Sequence, residues 1–317
     1  MRLQINYNDS YPFLKKEQMK LQNIILVILV LVLSISSASA QRNILNSEKA
    51  EDIGQKTIDQ LMKDNDMPLP YGFIDERDIL WSKATWEIID LDQRVNFPLY
   101  FPVEKASIGT DRISLFEVLL TNIKNGNITD IYSKSYFTEK ITYSDIESRL
   151  VFEDFTFYDK QVKIGIDDPD NIDRYTLTPR DIEKWKIRGL WYIDKRLGEL
   201  RYRIIGICPV AISAQGKKDD TFKDEVELFW IYYPSVRNIL HEAKAFNTKN
   251  TSRPISFDHI LNSRRFSGVI YREENVYGNR DIGGKKGYIS ENAFMQLLES
   301  DRIKEKIRNI ELDLWNY

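Results

Sequence analysis

Only two histidines and one cysteine are available for acid–base, metal or thiol chemistry in this 317-residue chain. His241 opens the string "HEAKA", which begins like a zinc-binding helix, but Ala245 occupies the position where the second ligand would stand. His259 follows Asp258 directly, and neighbours on a helix diverge by about 100 degrees instead of facing one another. The residues favour no hydrolase and no zinc enzyme, and an enzyme that uses His259 or His241 stays an alternative hypothesis.

Other binding chemistries also find little support. The acidic string "DDPDNID", residues 167–173, lacks the central glycine and the final glutamate of a calcium-binding EF-hand loop. Cys208 lies in the apolar run "IIGICPVAI" and is predicted to be a small core residue. We therefore expect no metal and no cofactor. Basic and acidic side chains number 45 and 48, a net charge of −3, which predicts no nucleic-acid partner.

The N-terminal part of the chain is typical of an exported protein. Residues 19–40 are predicted to be a signal peptide, because Lys20 precedes an apolar run and a small-residue cleavage pattern ends at Ala40. The apolar run has about half the length of a membrane-spanning helix. Residues 1–18 are predicted to be an extension upstream of the true start. Cleavage between Ala40 and Gln41, with no cysteine there to carry lipid, predicts a periplasmic chain.

The exported part is predicted to contain an arm and one domain. Residues 41–70 are polar and end in "DNDMPLP", where two prolines exclude regular structure, so this segment is interpreted as an N-terminal arm or linker. Residues 71–317 are predicted to form a globular α+β domain that ends in a C-terminal helix. The 42% hydrophobic composition of the chain is enough to build a substantial core.

The domain is predicted to be an antiparallel β-meander packed with several α-helices. Three apolar runs separated by polar turns predict the meander, namely "LWYID", "LRYRIIGICPVAI" and "VELFWIYYP". "NFPLYFP" is predicted to be extended, and Val151, Phe155 and Phe157 are predicted to share one strand face.

Capping residues and apolar spacings of three and four predict the helices. They are expected at 75–92, after Ser114, after Thr178, at 235–246, after Ser256 and at 290–317. The apolar phase of the last helix slips near Ser300, so a kink or two helices are expected there. "RISLFEVL" at 112–119 and "PISFDHIL" at 254–261 also resemble each other. They represent either a duplicated strand-helix-strand unit or a chance similarity of two capped helices.

The stretch "SFDHILNSRRFSGVIYREENVYG", residues 256–278, combines arginine and tyrosine as protein interfaces do. Its candidate partner-binding residues are Arg264, Arg265, Tyr271, Arg272 and Tyr277. The alternative is a solvated face on which these charges pair with Asp258, Glu273 and Glu274. The exposed side of the C-terminal helix is a second candidate surface.

Long strings carry a family resemblance: "DILWSKATWEIIDLDQRVNFPLYFPV", "VELFWIYYPSVRNILHEAKAFNTKN", "SRPISFDHILNSRRFSGVIYREENVYG" and "LLESDRIKEKIRNIELDLWNY". From about Gln41 to Tyr317 the chain resembles the GldN family of gliding motility proteins, called PorN in non-gliding relatives. The resemblance implies a non-catalytic periplasmic subunit of the type IX secretion system. It also implies self-association in a ring with an outer-membrane lipoprotein, GldK or PorK, and a link to the inner-membrane motor through GldM or PorM. An envelope module that binds peptidoglycan or secreted cargo is a further alternative.

Overall fold

A seven-stranded antiparallel sheet organises the fold. The computed structural model describes residues 67–104, 112–158, 172–219, 224–247, 250, 254–274 and 293–315, all within one unit that spans Met67–Tyr317. In chain order the strands are β1 (Ile79–Asp90), β2 (Ile131–Tyr132), β3 (Val151–Asp154), β4 (Asp173–Thr176), β5 (Ile182–Asp194), β6 (Glu199–Ile212), β7 (Glu225–Glu227), β8 (Trp230–Tyr232), β9 (Lys244–Ala245), β10 (Ile255–Ser256) and β11 (Val269–Glu273). The sheet order is β11–β1–β5–β6–β8–β2, with β7 also on β6, and β3–β4 and β9–β10 form two small sheets.

The helices pack against this sheet and against one another. They are α1 (Phe97–Tyr100), α2 (Leu115–Lys124), α3 (Tyr143–Leu150), α4 (Tyr233–Glu242), α5 (Phe257–Asn262) and α6 (Ala293–Trp315). Helices α4 and α5 contact each other and β6, while α6 lies on β11. The α+β class and the antiparallel meander through β5, β6, β7 and β8 are thus confirmed.

The two faces of the sheet differ, because side chains alternate along each strand. The core face carries Trp185 and Ile187 of β5 into the large apolar cluster that the helices cover. The opposite face, here called the minor face, carries a smaller buried cluster that includes Trp86, Cys208 and Tyr271. Cys208 is fully buried, so it is a core residue as predicted, and this burial raises the pKa of its thiol well above the ordinary value.

Local capping signals predict helix starts correctly. The Ser114 hydroxyl accepts a hydrogen bond from the Glu117 N–H at the start of α2, and Gly126 follows its end with a φ of 76°. The Ser256 hydroxyl accepts from the His259 N–H at the start of α5. These positions are correct because a cap depends on residues within one turn of the helix.

The helix predicted at 75–92 is wrong, because this segment forms β1. Its apolar residues have helical spacing by coincidence, and Leu80, which belongs to the predicted apolar helix face, is 52% exposed. Between Ala84 and Glu87 the strand is buried on both faces, which removes the alternation of apolar and polar residues that marks a half-buried strand. Pairing with β5 along the strand and with β11 supplies this burial.

Two predicted extended segments are also wrong or too long. "NFPLYFP" contains a turn and α1, in which Pro98 occupies the first helical turn. Strand β3 ends at Asp154, whose carboxylate accepts hydrogen bonds from the N–H and hydroxyl of Thr156 and turns the chain. Phe155 and Phe157 lie beyond it, 43% and 47% exposed, so they share no strand face with Val151.

Tertiary contacts change two further helices. The capping box of Thr178 and Asp181 forms, but only Pro179–Asp181 is helical, because the next residues enter β5 between two neighbouring strands. Helix α6 is one uninterrupted helix rather than two. At the predicted break the buried Ser300 hydroxyl accepts a hydrogen bond from the Ile270 N–H of β11 at 2.9 Å.

Some predictions lie outside the described residues. These are the extension at 1–18, the signal peptide at 19–40, nearly all of the arm at 41–70, most of the acidic string at 167–173, and Tyr277. The duplicated unit stays a prediction. The strands that follow its two helices, β2 and β11, occupy opposite ends of the sheet order.

Candidate interaction surface

The five candidate partner-binding residues do not lie on one surface. Arg265 is exposed, Arg264 and Arg272 are partly buried, and Tyr271 is only 5% exposed within the minor-face cluster. Tyr277 is outside the described residues. Tyr271 is the extra residue of a bulge in β11, because Trp86 pairs with Arg272 and Glu87 with Ile270, and this bulge buries Tyr271 beside Trp86, which the residue types alone do not reveal.

Arg264, whose side chain is 26% exposed, forms an ion pair with the buried Glu87 of β1. Its Nη2 lies 2.8 Å and its Nη1 3.1 Å from the two oxygens of Glu87, a carboxylate that is fully buried. The guanidinium also lies over the Tyr202 ring at 4.2 Å and near the Trp191 ring at 5.0 Å. Most of the hydrogen-bonding and stacking capacity of Arg264 is therefore used inside the protein.

A line of basic side chains runs along the minor face of β5. Lys184, Lys186 and Arg188 occupy alternate positions and so point to the same face. Lys184 pairs with Glu225, and Lys186 pairs with Glu227 at 2.8 Å, both acids coming from β7. The first two positions of the line are thus neutralised by β7, which pairs with β6 on the side away from β5.

The segment 133–140 covers part of the minor face. Phe137 adopts a φ of 59° and packs edge-on against Tyr132 and Tyr232. A Cβ atom at position 206 would lie 2.5 Å from Cζ of Phe137, so only glycine leaves room for this ring. Gly206 therefore lets the segment lie flat on β6 and places Tyr136 beside the basic line.

Two aromatic rings and two guanidinium groups pack together next to segment 133–140. The Arg272 guanidinium carbon lies 4.7 Å from the Trp86 ring centroid, and that of Arg188 lies 5.4 Å from the same centroid. Both guanidinium carbons are 5.4 Å from the Tyr136 ring. Arg272 donates a hydrogen bond to the Tyr136 hydroxyl, and Arg188 donates to the Ser135 carbonyl at 2.7 Å.

A further candidate surface, which the sequence did not predict, is the irregular segment 67–73. The hydroxyl of Tyr71 donates to the Asn262 side chain at 2.7 Å, and its ring lies between the guanidiniums of Arg237 at 4.0 Å and Arg203 at 4.6 Å. Arg203 also donates to the Gly72 carbonyl. These contacts hold the segment in place. Three apolar side chains nevertheless face solvent and are 71%, 83% and 83% exposed: Met67, Leu69 and Phe73.

The tyrosine in this segment is expected to ionise only near pH 12. Burial, the largest cause, raises the pKa of Tyr71 from 10.0 to about 12. Because the folded state retains this proton, Tyr71 stabilises the fold fully below pH 10, and the contribution is lost as the pH rises toward 12. The phenolate absorbance of the wild type minus that of Tyr71→Phe measures this pKa, with Tyr232→Phe as a control for one exposed tyrosine. Ionisation near pH 10 would contradict the buried position of Tyr71.

Helix α6 presents apolar side chains at its start. Its middle is anchored, because Ile303 and Ile307 pack on Ile270 of β11 and Lys304 donates to the Gly268 carbonyl. Nearer the start of the helix, Leu297 and Leu298 are 44% and 49% exposed. The predicted exposed side of this helix is therefore apolar near its N-terminal end.

Asp258, which precedes the candidate catalytic residue His259, has a structural role. The Asp258 carboxylate accepts hydrogen bonds from Arg237, Tyr233 and Asn262, and none from its neighbour His259, whose side chain is exposed. His241 lies in the last turn of α4, whereas Ala245 belongs to β9, so the two positions of "HEAKA" share no helix. Within the described ranges, no three His, Cys, Asp or Glu side chains are grouped to hold a metal ion.

The residues that match a known protein family span almost the whole described fold. The family model described as gliding motility associated protein GldN matches residues 74–316. The chain belongs to the GldN family. The match covers every strand and helix from β1 to α6, and no curated protein matches the chain.

Membership of the GldN family makes this chain a component of gliding motility and type IX secretion. The GldN family is a structural family rather than a known enzyme family. In the part of this GldN-family chain that the structure describes, no helix has the length and apolar character needed to cross a membrane.

Three residues in the ring–guanidinium contacts on the minor face of this GldN-family chain were not predicted from the sequence: Trp86, Tyr136 and Arg188. The alternating string "KWKIR" at 184–188 carries a signal for Arg188, because a strand there places its three basic residues on one face. Trp86 was assigned to a helix rather than to β1. Tyr136 carries no local signal, because its position depends on Gly206 in a distant strand.

Proposed function

We propose that the chain is a non-catalytic structural subunit of the type IX secretion and gliding machinery that acts in the periplasm. Residues 19–40 act as a cleaved signal peptide and residues 41–70 as an arm ahead of the domain at 71–317. The subunit self-associates in a ring together with an outer-membrane lipoprotein of the GldK or PorK type, and GldM or PorM links it to the inner-membrane motor. Membership of the GldN family supports the machinery, and the ring and its partners are our proposal.

The observation that carries this proposal is the apolar surface of segment 67–73. Met67, Leu69 and Phe73 are exposed although buried contacts of Tyr71 hold the segment in place. Ordered apolar side chains of this size are stabilised when a partner removes them from water, by about 1.5–3 kcal/mol for each one fully buried. Segment 67–73 therefore has the properties of a preformed protein-binding strip.

Of the described basic and aromatic candidates, Arg265 is exposed and follows α5. Arg272 is partly buried in the edge strand β11, and its hydrogen bond to the Tyr136 hydroxyl lies at the surface. We propose that these two residues contact neighbouring subunits. Arg264 and Tyr271 support them from inside, and Tyr277 stays a proposed contact outside the described residues.

The test is isolation of the tagged chain from its native envelope in mild detergent, followed by measurement of particle mass and composition. We expect a large particle that contains an outer-membrane lipoprotein in fixed ratio. Replacing Met67, Leu69 and Phe73 together by serine is expected to reduce lipoprotein recovery at least tenfold. The matched control replaces Leu80, Val95 and Leu197, which are 52%, 58% and 48% exposed, by serine and should keep the particle. A wild-type chain recovered as a monomer would contradict the proposal.

A further inference from the structure

The third position in the basic line of β5 differs from the first two. Lys184 and Lys186 each pair with a glutamate of β7, whereas no described carboxylate lies within ion-pairing distance of Arg188. Strand β7 ends at Glu227, and the chain continues with the buried Leu228 and Phe229. The sheet thus supplies an acid to two of the three positions, and the Arg188 guanidinium donates to the Ser135 carbonyl among the described residues.

The surroundings of Arg188 destabilise its positive charge, which a bound anion would stabilise. Burial lowers the pKa of the Arg188 guanidinium, and the positive charge of Arg272 acts in the same direction. The nearby acid that opposes them is Glu274, an exposed residue just after β11. Two guanidiniums beside one tryptophan ring repel each other, and a bound anion between them would reduce that repulsion.

Three neighbouring rings determine which N–H donors of the Arg188 guanidinium can bind a ligand. Trp86, Tyr136 and Phe137 all lie within 5.6 Å of the Arg188 guanidinium carbon. Stacking on ring faces leaves the edges of a guanidinium, which carry its N–H donors, available for a planar acceptor. A carboxylate matches that edge through two parallel hydrogen bonds.

We propose that Arg188, assisted by Arg272, forms a carboxylate-binding site on the minor face that accepts a glutamate or aspartate side chain of a partner protein. The same face already binds two glutamate carboxylates at the preceding positions of the line. An anionic membrane or a nucleic acid fits less well, because such surfaces select clusters of unpaired basic residues and this chain has a net charge of −3. The inference goes beyond the proposed ring, because it does not depend on which protein supplies the acid.

The experiment uses the purified protein labelled with 5-fluorotryptophan and follows the fluorine resonance of Trp86, assigned with Trp86→Phe. The probe is an acetylated tetraglutamate amide, compared with tetraglutamine and with inorganic phosphate. We expect a saturable shift of the Trp86 resonance with tetraglutamate alone. Arg188→Gln is expected to weaken this binding at least tenfold, Arg188→Lys to weaken it less, and Glu274→Gln to strengthen it.

Arg174→Gln is the matched control, because Arg174 is an exposed arginine of β4 in the separate β3–β4 sheet. Equal weakening by Arg174→Gln would show non-specific charge attraction and overturn the proposal. No wild-type shift, or saturation by phosphate without saturation by tetraglutamate, would also overturn it. If Arg188→Gln fails to fold, the wild-type titration and Glu274→Gln still decide. This titration does not depend on ring assembly. A failure of the carboxylate-site proposal can therefore be distinguished from a failure of the proposed function.

Discussion

Asp258→Ala is expected to lower the free energy of unfolding by about 3–5 kcal/mol, because it leaves a buried guanidinium without its counter-ion. Arg237 donates to both Asp258 oxygens, at 3.0 and 3.1 Å, and the Tyr233 hydroxyl donates to the same carboxylate at 2.9 Å. Both charged side chains are at most 10% exposed. Since domains are stable by only about 5–15 kcal/mol, this loss is large. Urea denaturation should show a lower midpoint with an unchanged slope.

Asp130→Ala is the matched control for Asp258→Ala. Asp130 also pairs with a basic residue, Lys140, at 2.8 Å, but the two side chains are 36% and 61% exposed. Water and salt screen exposed ion pairs, so this variant should unfold close to the wild-type midpoint. Equal effects of Asp258→Ala and Asp130→Ala would contradict the burial of the Asp258 network.

Glu87→Met is expected to be the second severe change, with a loss near the lower end of the range of about 3–5 kcal/mol, because the Arg264 side chain is 26% exposed and water compensates part of its charge. Glu87 is fully buried and holds Arg264 through both carboxylate oxygens. Its removal leaves a guanidinium enclosed by Tyr202, Trp191 and Phe266 without a counter-ion. The measurement is again the free energy of unfolding in urea.

A double replacement separates the cost of an unpaired charge from the cost of lost packing. In Glu87→Met with Arg264→Met, neither charge is left in the interior, and replacing both members of a buried pair by apolar residues is often close to neutral. The double variant should therefore recover most of the stability that Glu87→Met loses. If the double variant is less stable than the single one, the pair contributes through packing rather than charge, and our explanation is wrong.

The two substituted residues, Asp258 and Glu87, differ in how much of their surroundings the sequence predicts. Asp258 lies next to a capping serine in a helix that the sequence predicts correctly, but its partner Arg237 lies in another helix, 21 residues away. Glu87 was assigned to a helix, and its partner Arg264 is 177 residues away. Two residues so far apart produce no periodic pattern in the sequence, so only the structure, in which β1 is part of the sheet, reveals this pair.

The sequence by itself determined the features that depend on neighbouring residues. The caps at Ser114 and Ser256, the meander runs between Leu190 and Tyr233, and the α+β class follow from local hydrogen bonding and from the alternation of apolar residues. Long specific strings also identified the GldN family. These signals hold because a cap or a strand face is defined within a few residues.

Only the tertiary structure decided which residues share a surface. Pairing of β1 with β5 and β11 converted a helical spacing into a strand, buried Tyr271 and brought Trp86 beside Arg188 and Arg272. It also separated Arg264, which turns inward, from the exposed Arg265. Residues distant in sequence meet there because each strand must bury its apolar side chains and pair its backbone polar groups, and both conditions depend on the neighbouring strands rather than on the local sequence.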